Sequence, residues 1–291
     1  MQNGERSLHQ LEKIVAAIAL AAVFLLAAGF AQGAGPKDPD KVFLRSAVAL
    51  VQDASSGETL IAKNEGVVLP IASITKLMTA IVLLDARLDL EQRIAISDED
   101  YDAVKGTRSR LRAGTMLTRN ELLLLALMSS ENRAATALGR TYPGGTGAFV
   151  AAMNAKGRAL GMGDTRFVDA SGLSPDNVSS AQDLARLVIA AHEFPLIRQY
   201  STRESTTVHS FGRTLGYRNT NGMVRSAQWD IALSKTGYIS EAGRCLVMRV
   251  RMASREVVVV LLDSWGKFSR VGDANRIRKW LETNAAAGRR G

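Results

Sequence analysis

Pro70-Ile71-Ala72-Ser73-Ile74-Thr75-Lys76-Leu77-Met78-Thr79-Ala80 places a hydroxyl and an amine three residues apart at the head of an apolar segment. Leu77, Ala80, Ile81 and Leu84 recur at helical spacing, which predicts a helix from about Ser73 to Arg87. Residues three apart on a helix share a face, so Ser73 and Lys76 can touch. The helix N-terminus favours negative charge developing on the serine oxygen. A lysine with an ordinary pKa of ~10.4 is a poor base at neutral pH. Burial or a neighbouring cation lowers that value, and Lys235 is a candidate neighbour. A hydroxyl and an amine at this spacing also arise by chance, so the pair needs support from elsewhere in the chain.

Two further motifs follow in order. Ser130-Glu131-Asn132 comes after the apolar run Leu122 to Met128, which Thr118-Arg119-Asn120-Glu121 opens with a capping-box pattern. A hydroxyl presented there can pass a proton between Lys76 and a leaving nitrogen. An asparagine amide can grip a peptide group. An ordinary helix end explains the same residues if they are read alone, and Ser129 competes with Ser130 for the role. Lys235-Thr236-Gly237 closes the strand-like run Ile231 to Gly237. On a strand Lys235 and Gly237 point one way and Thr236 the other. Lys235 would attract a carboxylate, Thr236 would hydrogen-bond it, and Gly237 would let a substrate backbone approach. An extended peptide can add along such an edge. A plain polar strand end fits these three residues as well.

Strand patterns cluster at both ends of the chain. Residues 46–53 and Glu58 to Lys63 flank the turn Ser55-Ser56-Gly57 and predict an N-terminal hairpin. Leu246–Met252 and Glu256–Asp263 flank Ala253-Ser254-Arg255 and predict another. Helices are expected at Thr146–Leu160, Ala181–His192 and Asp273–Thr283. Glu91 to Gly114 reads as loop-rich, and Gly139 to Gly147 as a turn region. The predicted fold class is α+β: one antiparallel sheet formed by both chain ends, packed on helices, with a mostly helical lobe and the site between the two.

The chain has 291 residues, 46% of them hydrophobic, enough for one large domain or two intimate ones. Arg6 and Lys13 precede an apolar run from Ile14 to Phe30, and small residues follow at Ala31, Gly33 and Ala34. Residues 1–33 therefore read as an export signal, with an uncleaved anchor helix as the alternative. Residues 34–44 read as a linker, 45–284 as the folded domain and 285–291 as a disordered tail. The expected location is the periplasm. Cys245 is the only cysteine, so no internal disulfide forms; it sits in an apolar run and reads as a small buried hydrophobe. A net charge of +9 suits an anionic wall or membrane surface and loose association with it. No dense basic tract with interleaved aromatics supports nucleic-acid binding. His9, His192 and His209 are the only histidines. There is no Gly-x-Ser-x-Gly elbow, no paired zinc histidines and no Walker-type phosphate loop, and no cofactor is expected.

The three motifs in this order are the signature of class A β-lactamases and penicillin-binding proteins. The chain resembles the low-molecular-mass penicillin-binding proteins, the serine D-alanyl-D-alanine peptidases, from about residue 45 to 284. The likeness rests on Pro70 to Ala80, on Leu127 to Ala135, on Asn154 to Gly172 and on Leu233 to Tyr238. It implies that Ser73 forms an acyl-enzyme, that Lys76 accepts its proton and that Ser130 shuttles the proton to the leaving amine. It implies that Lys235 and Thr236 hold the substrate carboxylate, that Asn132 positions the substrate backbone, and that the N–H groups of Ser73 and Tyr238 form the oxyanion hole. The partners implied are peptidoglycan stem peptides and, as covalent inhibitors, β-lactam antibiotics.

Within the family, carboxypeptidases usually carry an extra β-rich domain and a terminal anchor, for which the residues after Gly237 leave no room. The chain therefore looks closest to the short endopeptidases that cut D-Ala–diaminopimelate cross-links. Glu131 after Ser130, where the carboxypeptidase branch more often has glycine, points the same way. A carboxypeptidase is the alternative. A class A-like β-lactamase would need a glutamate to activate the deacylating water, and residues 160–180 offer only Asp164, Asp169 and Asp176. A catalytically silent wall-binding protein is the remaining reading.

Overall fold

The computed structural model describes residues 42–103 and 105–287. The expected signal, the linker as far as residue 41 and the last four residues of the tail lie outside the described residues.

Eleven strands and seven helices follow in order among the described residues, with short 3-10 turns between. The strands are β1 Ser46–Asp53, β2 Thr59–Lys63, β3 Leu69–Pro70, β4 Arg93–Ala95, β5 Met116–Thr118, β6 Val178–Ser179, β7 Ser205–Ser210, β8 Arg213–Arg218, β9 Asp230–Ile239, β10 Gly243–Met252 and β11 Arg255–Ser264. The helices are α1 Lys76–Asp85, α2 Arg119–Met128, α3 Asn132–Arg140, α4 Gly145–Ala159, α5 Ala181–His192, α6 Pro195–Thr202 and α7 Ser269–Ala287. The main sheet has five strands in the order β2-β1-β11-β10-β9. All its pairings are antiparallel. Both chain ends thus build one sheet, as expected.

The apolar runs in β1 and β11 are continuous because both faces of the sheet are covered. Val48, Leu50, Val258, Val260 and Leu262 face the core of the helical lobe. Ala49, Val51, Val257, Val259 and Leu261 face α7 through Ala274, Ile277 and Leu281. Each valine, leucine or isoleucine among them contributes ~1.5–3 kcal/mol on removal from water. The start of β1 is pinned to α7 by Asp273, whose carboxylate accepts from the backbone N–H groups of Arg45 and Ser46 at 2.9 and 2.8 Å and from Ser46 Oγ.

α2 is the central helix of the lobe. Leu122, Leu123, Leu125 and Leu127 are all buried in it. Its expected capping box is present: Thr118 Oγ1 accepts from Glu121 N–H, and Glu121 returns the bond to Thr118 N–H at 2.8 Å. α5 has the predicted bounds, and α7 runs four residues further than expected at each end, so residues 285–287 are helical.

Besides the short strands β3 to β6, two helices and a hairpin were not foreseen. α3 starts at Asn132, inside what read as the end of one helix, because Glu131 accepts from Arg133 N–H and caps a second. α6 follows Phe194, with Pro195 in its first turn. The β7–β8 hairpin is polar and largely exposed, so no apolar alternation announced it.

Candidate active site

β9 is the edge strand of the sheet, and its free edge lies against the turn that carries Ser73. That turn is a 3-10 helix over Ala72–Thr75, ahead of α1, rather than the first turn of a single α-helix. Ala72 adopts a left-handed φ of 48°, and Thr75 Oγ1 closes the turn on Ala72 O at 2.8 Å. Two glycines brace it. A Cβ on Gly172 would lie 2.0 Å from Ala72 O, and one on Gly237 would lie 2.9 Å from Ile71 O and 3.3 Å from Ser73 N. Gly237 therefore admits the protein's own nucleophile turn.

Lys76 is fully buried and its Nζ meets three oxygens. They are Ser73 Oγ at 2.9 Å, Asn132 Oδ1 at 2.7 Å and the Ser171 carbonyl at 2.5 Å. Two of these only accept; the third, a hydroxyl, can also donate. A neutral amine can thus give its two protons to Asn132 and Ser171 and point its lone pair at the Ser73 hydroxyl. Burial pushes the Lys76 pKa down to about 7, against the pull of Asp169 and Glu131. The cause is desolvation, the first of the two causes the sequence allowed, and not the charge of Lys235. The influence runs the other way: Lys235 is held well below the usual lysine range, first by burial and then by the charges of Lys76 and Arg270.

The second motif sits between α2 and α3. Ser130 is left-handed at φ 59°, a conformation that costs a non-glycine residue energy and aims its side chain into the cleft. Ser129 spends its hydroxyl on Leu125 O of α2, at 2.8 Å. Ser130 Oγ instead accepts from Lys235 Nζ at 2.8 Å. No hydrogen bond joins Ser130 to Lys76 among the described residues, so the two hydroxyls form separate serine–lysine pairs. Asn132 is held from its other end, with Nδ2 donating to Thr107 Oγ1 at 3.1 Å. Thr236 Oγ1 donates to Thr220 Oγ1 at 2.6 Å. Tyr238 is more than half exposed, and Arg244 lies 4.7 Å above its ring; its side chain stands apart from the cluster.

Several contributors carried no signal in the sequence. The Ser171 carbonyl is presented by a loop that Asp169 organises. The Asp169 carboxylate accepts from the N–H groups of Ser171, Gly172 and Ser174, from Ser171 Oγ and from Asn177 Nδ2. With both oxygens so occupied, Asp169 is not free to activate a water as a β-lactamase glutamate does. Arg270 donates to the carbonyls of Gly237 and Cys245 at 3.3 and 3.0 Å and stiffens β9. Cys245 is buried, and its thiol pKa is raised to about 11, chiefly by burial. Among the described residues no cluster of metal-ligating side chains occurs, and no helix is long and apolar enough to cross a membrane.

Comparisons with known proteins place the chain in a family. The peptidase family S11, described as D-alanyl-D-alanine carboxypeptidase, matches residues 36–265. The chain belongs to this family. It is 50% identical over 242 residues to a D-alanyl-D-alanine endopeptidase of Pseudomonas aeruginosa, covering 82% of this chain and 78% of that one. It is 46% identical, with the same coverage, to a D-alanyl-D-alanine endopeptidase of Escherichia coli. Among solved structures it resembles the DD-transpeptidase of Streptomyces, with a TM-score of 0.76 and 26% identity over 82% of this chain and 97% of that one. A D-alanyl-D-alanine carboxypeptidase from Mycobacterium tuberculosis gives a TM-score of 0.75 at 26% identity, over 86% and 94% of the two chains. The expected fold, an antiparallel sheet with a helical lobe, is the one observed.

Proposed function

We propose that this protein is a serine D-alanyl-D-alanine endopeptidase that cuts D-Ala–diaminopimelate cross-links in peptidoglycan. One observation carries the reading: a fully buried lysine with a pKa near 7 sits 2.9 Å from the Ser73 hydroxyl, with its other two contacts to pure acceptors. The endopeptidase names of the two relatives above support the choice of branch.

In this reading Ser73 Oγ attacks the D-alanyl carbonyl carbon as its proton passes to Lys76 Nζ. The backbone N–H groups of Ser73 and Tyr238 receive the negative charge on the carbonyl oxygen. The C–N bond then breaks, and Ser130 hands a proton to the leaving amine, drawing on Lys235 beside it. Lys235 and Thr236 hold the carboxylate next to that amine, and Asn132 aligns the acyl strand. Water then cleaves the Ser73 ester: its hydroxide half goes to the acyl carbon and its proton through Ser130 back to Lys235, while Lys76 returns its proton to Ser73 Oγ, which releases the shortened stem peptide and restores the hydroxyl. A β-lactam follows the same first step and stays bound as an ester. The N-terminal segment acts as an export signal to the periplasm, and the basic surface favours contact with the wall.

The carboxypeptidase reading is second, and the description of the matched family favours it. Two defined muropeptides separate the readings. Incubation with a D-Ala–diaminopimelate cross-linked dimer should give monomers by mass spectrometry. Loss of terminal D-alanine from an uncross-linked pentapeptide, with the dimer left intact, would make the carboxypeptidase reading the right one.

A further inference from the structure

Two cavities meet beside Ser130. One, of about 530 Å³, runs from Ser130 and Asn132 to Arg108, Arg110, Tyr217 and Arg218. The other, of about 950 Å³, shares Arg110, Tyr217 and Arg218 and continues along the β7–β8 hairpin to Arg203. Together they make a groove that leads out of the candidate active site. Arg108, Arg110, Arg203 and Arg218 are all exposed, and none forms an ion pair among the described residues. Glu131, at the Ser130 end, is the acidic side chain on the wall, and it is engaged with Arg133 N–H.

The groove is anchored. Arg110 donates to Gly216 O and lies 4.0 Å above the Tyr217 ring, which ties the 105–113 loop to the hairpin. The hairpin is tied to the site in turn: Thr220, just past β8, donates its N–H to Met128 O and accepts from Thr236. Tyr217 is only 2% exposed and lines both cavities, and its hydroxyl is buried with no hydrogen-bond partner. A buried hydroxyl without a partner is costly, and a ligand lying in the groove would supply one.

We propose that this groove binds the leaving half of a cross-linked substrate, an acidic stem peptide, with the arginines taking its carboxylates and the Tyr217 hydroxyl taking one of its oxygens. The inference rests on the endopeptidase reading and deepens it. If Ser130 protonates the leaving amine, whatever is attached to that amine passes over Ser130 and into the space beyond. For a carboxypeptidase that group is a single amino acid, which has no use for a groove of this length. For an endopeptidase it is a whole peptide, and its diaminopimelate brings carboxylates to a surface rich in guanidinium groups.

The test compares kcat/KM for the cross-linked dimer with kcat/KM for the pentapeptide on the same preparations. The double substitution Arg203→Ser and Arg218→Ser should lower the dimer-to-pentapeptide ratio about tenfold, chiefly through KM, and should flatten the salt dependence of the dimer KM. Tyr217→Phe keeps the packing and removes only the hydroxyl, and should lower the ratio severalfold. A dimer with amidated carboxylates should be cut by the wild type with a similarly lowered ratio. A ratio unchanged in both variants overturns the groove, even if both activities fall together, because that pattern marks a structural role. Failure of the wild type to cut the dimer at all overturns the endopeptidase reading, and the groove with it; the two failures are told apart by the wild-type dimer reaction alone.

Discussion

Lys76→Met tests the protonation state of the buried lysine through stability rather than activity. Folding lowers the Lys76 pKa from 10.5 to about 7. At 1.36 kcal/mol per pH unit this amounts to roughly 5 kcal/mol. The group is a base with a depressed native pKa, so between pH 7 and 10.5 the unfolded chain holds a proton that the folded chain lacks. Wild-type stability therefore rises with pH through that window, by about 1.4 kcal/mol per unit, and the cost of charging Lys76 is fully present below pH 7. Methionine has no such term. The variant also leaves Asn132 Oδ1 and Ser171 O without their donor, an offset of ~1 kcal/mol or more each that does not vary with pH. Urea unfolding of both proteins at pH 7.5 and 9.5 should show the wild type gaining about 3 kcal/mol on the variant. Lys76→Met also removes one of the charges that depress Lys235, so a variant Lys235 that titrates higher widens the difference in the same direction. A difference that does not change with pH would mean that Lys76 enters the folded state with its proton, and the neutral-base account would fail.

Three other substitutions probe the surroundings. Gly172→Ala, at φ +79° and facing Ala72 O, should cost ~3 kcal/mol or more and slow acylation by displacing the nucleophile turn; thermal unfolding together with a β-lactam acylation rate checks both. Asp169→Asn keeps one oxygen but turns the other into a donor, so at least two of the five donors lose their acceptor, which should cost ~2–4 kcal/mol by denaturant unfolding. It also removes a charge that raises the Lys76 pKa, so the acidic limb of the acylation rate should move to lower pH; a limb that stays put would contradict the coupling. Asp273→Asn should cost ~2 kcal/mol at pH 7. The Asp273 pKa lies below 3.8 because its hydrogen bonds to Ser46, Arg45 and Arg276 outweigh burial, so the gap between the two proteins should close as the pH falls below 4.

The parts of the fold that the sequence disclosed are those with a strong apolar period or a local cap. β1 and α5 follow from their own residues, and the Thr118–Glu121 box marked the start of α2. The β7–β8 hairpin was missed because its exposed, polar residues are placed by the loop and helices around it. The break at Ala72 was missed because Gly172, 100 residues away, imposes it from outside the segment. The serine, lysine and asparagine side chains of the site were legible, since the chemistry needs those residue types. The third contact of Lys76 was not, because a backbone carbonyl such as that of Ser171 belongs to every residue.

The most direct test of the acyl-enzyme account is intact-protein mass spectrometry after exposure to a β-lactam, with Ser73→Ala alongside. The wild type should gain the full mass of one β-lactam, localised to Ser73 by peptide mapping and persisting for minutes or longer, and the variant should gain nothing. A wild type that gains no mass, that carries the adduct on another residue, or that returns to its original mass within seconds would contradict the account.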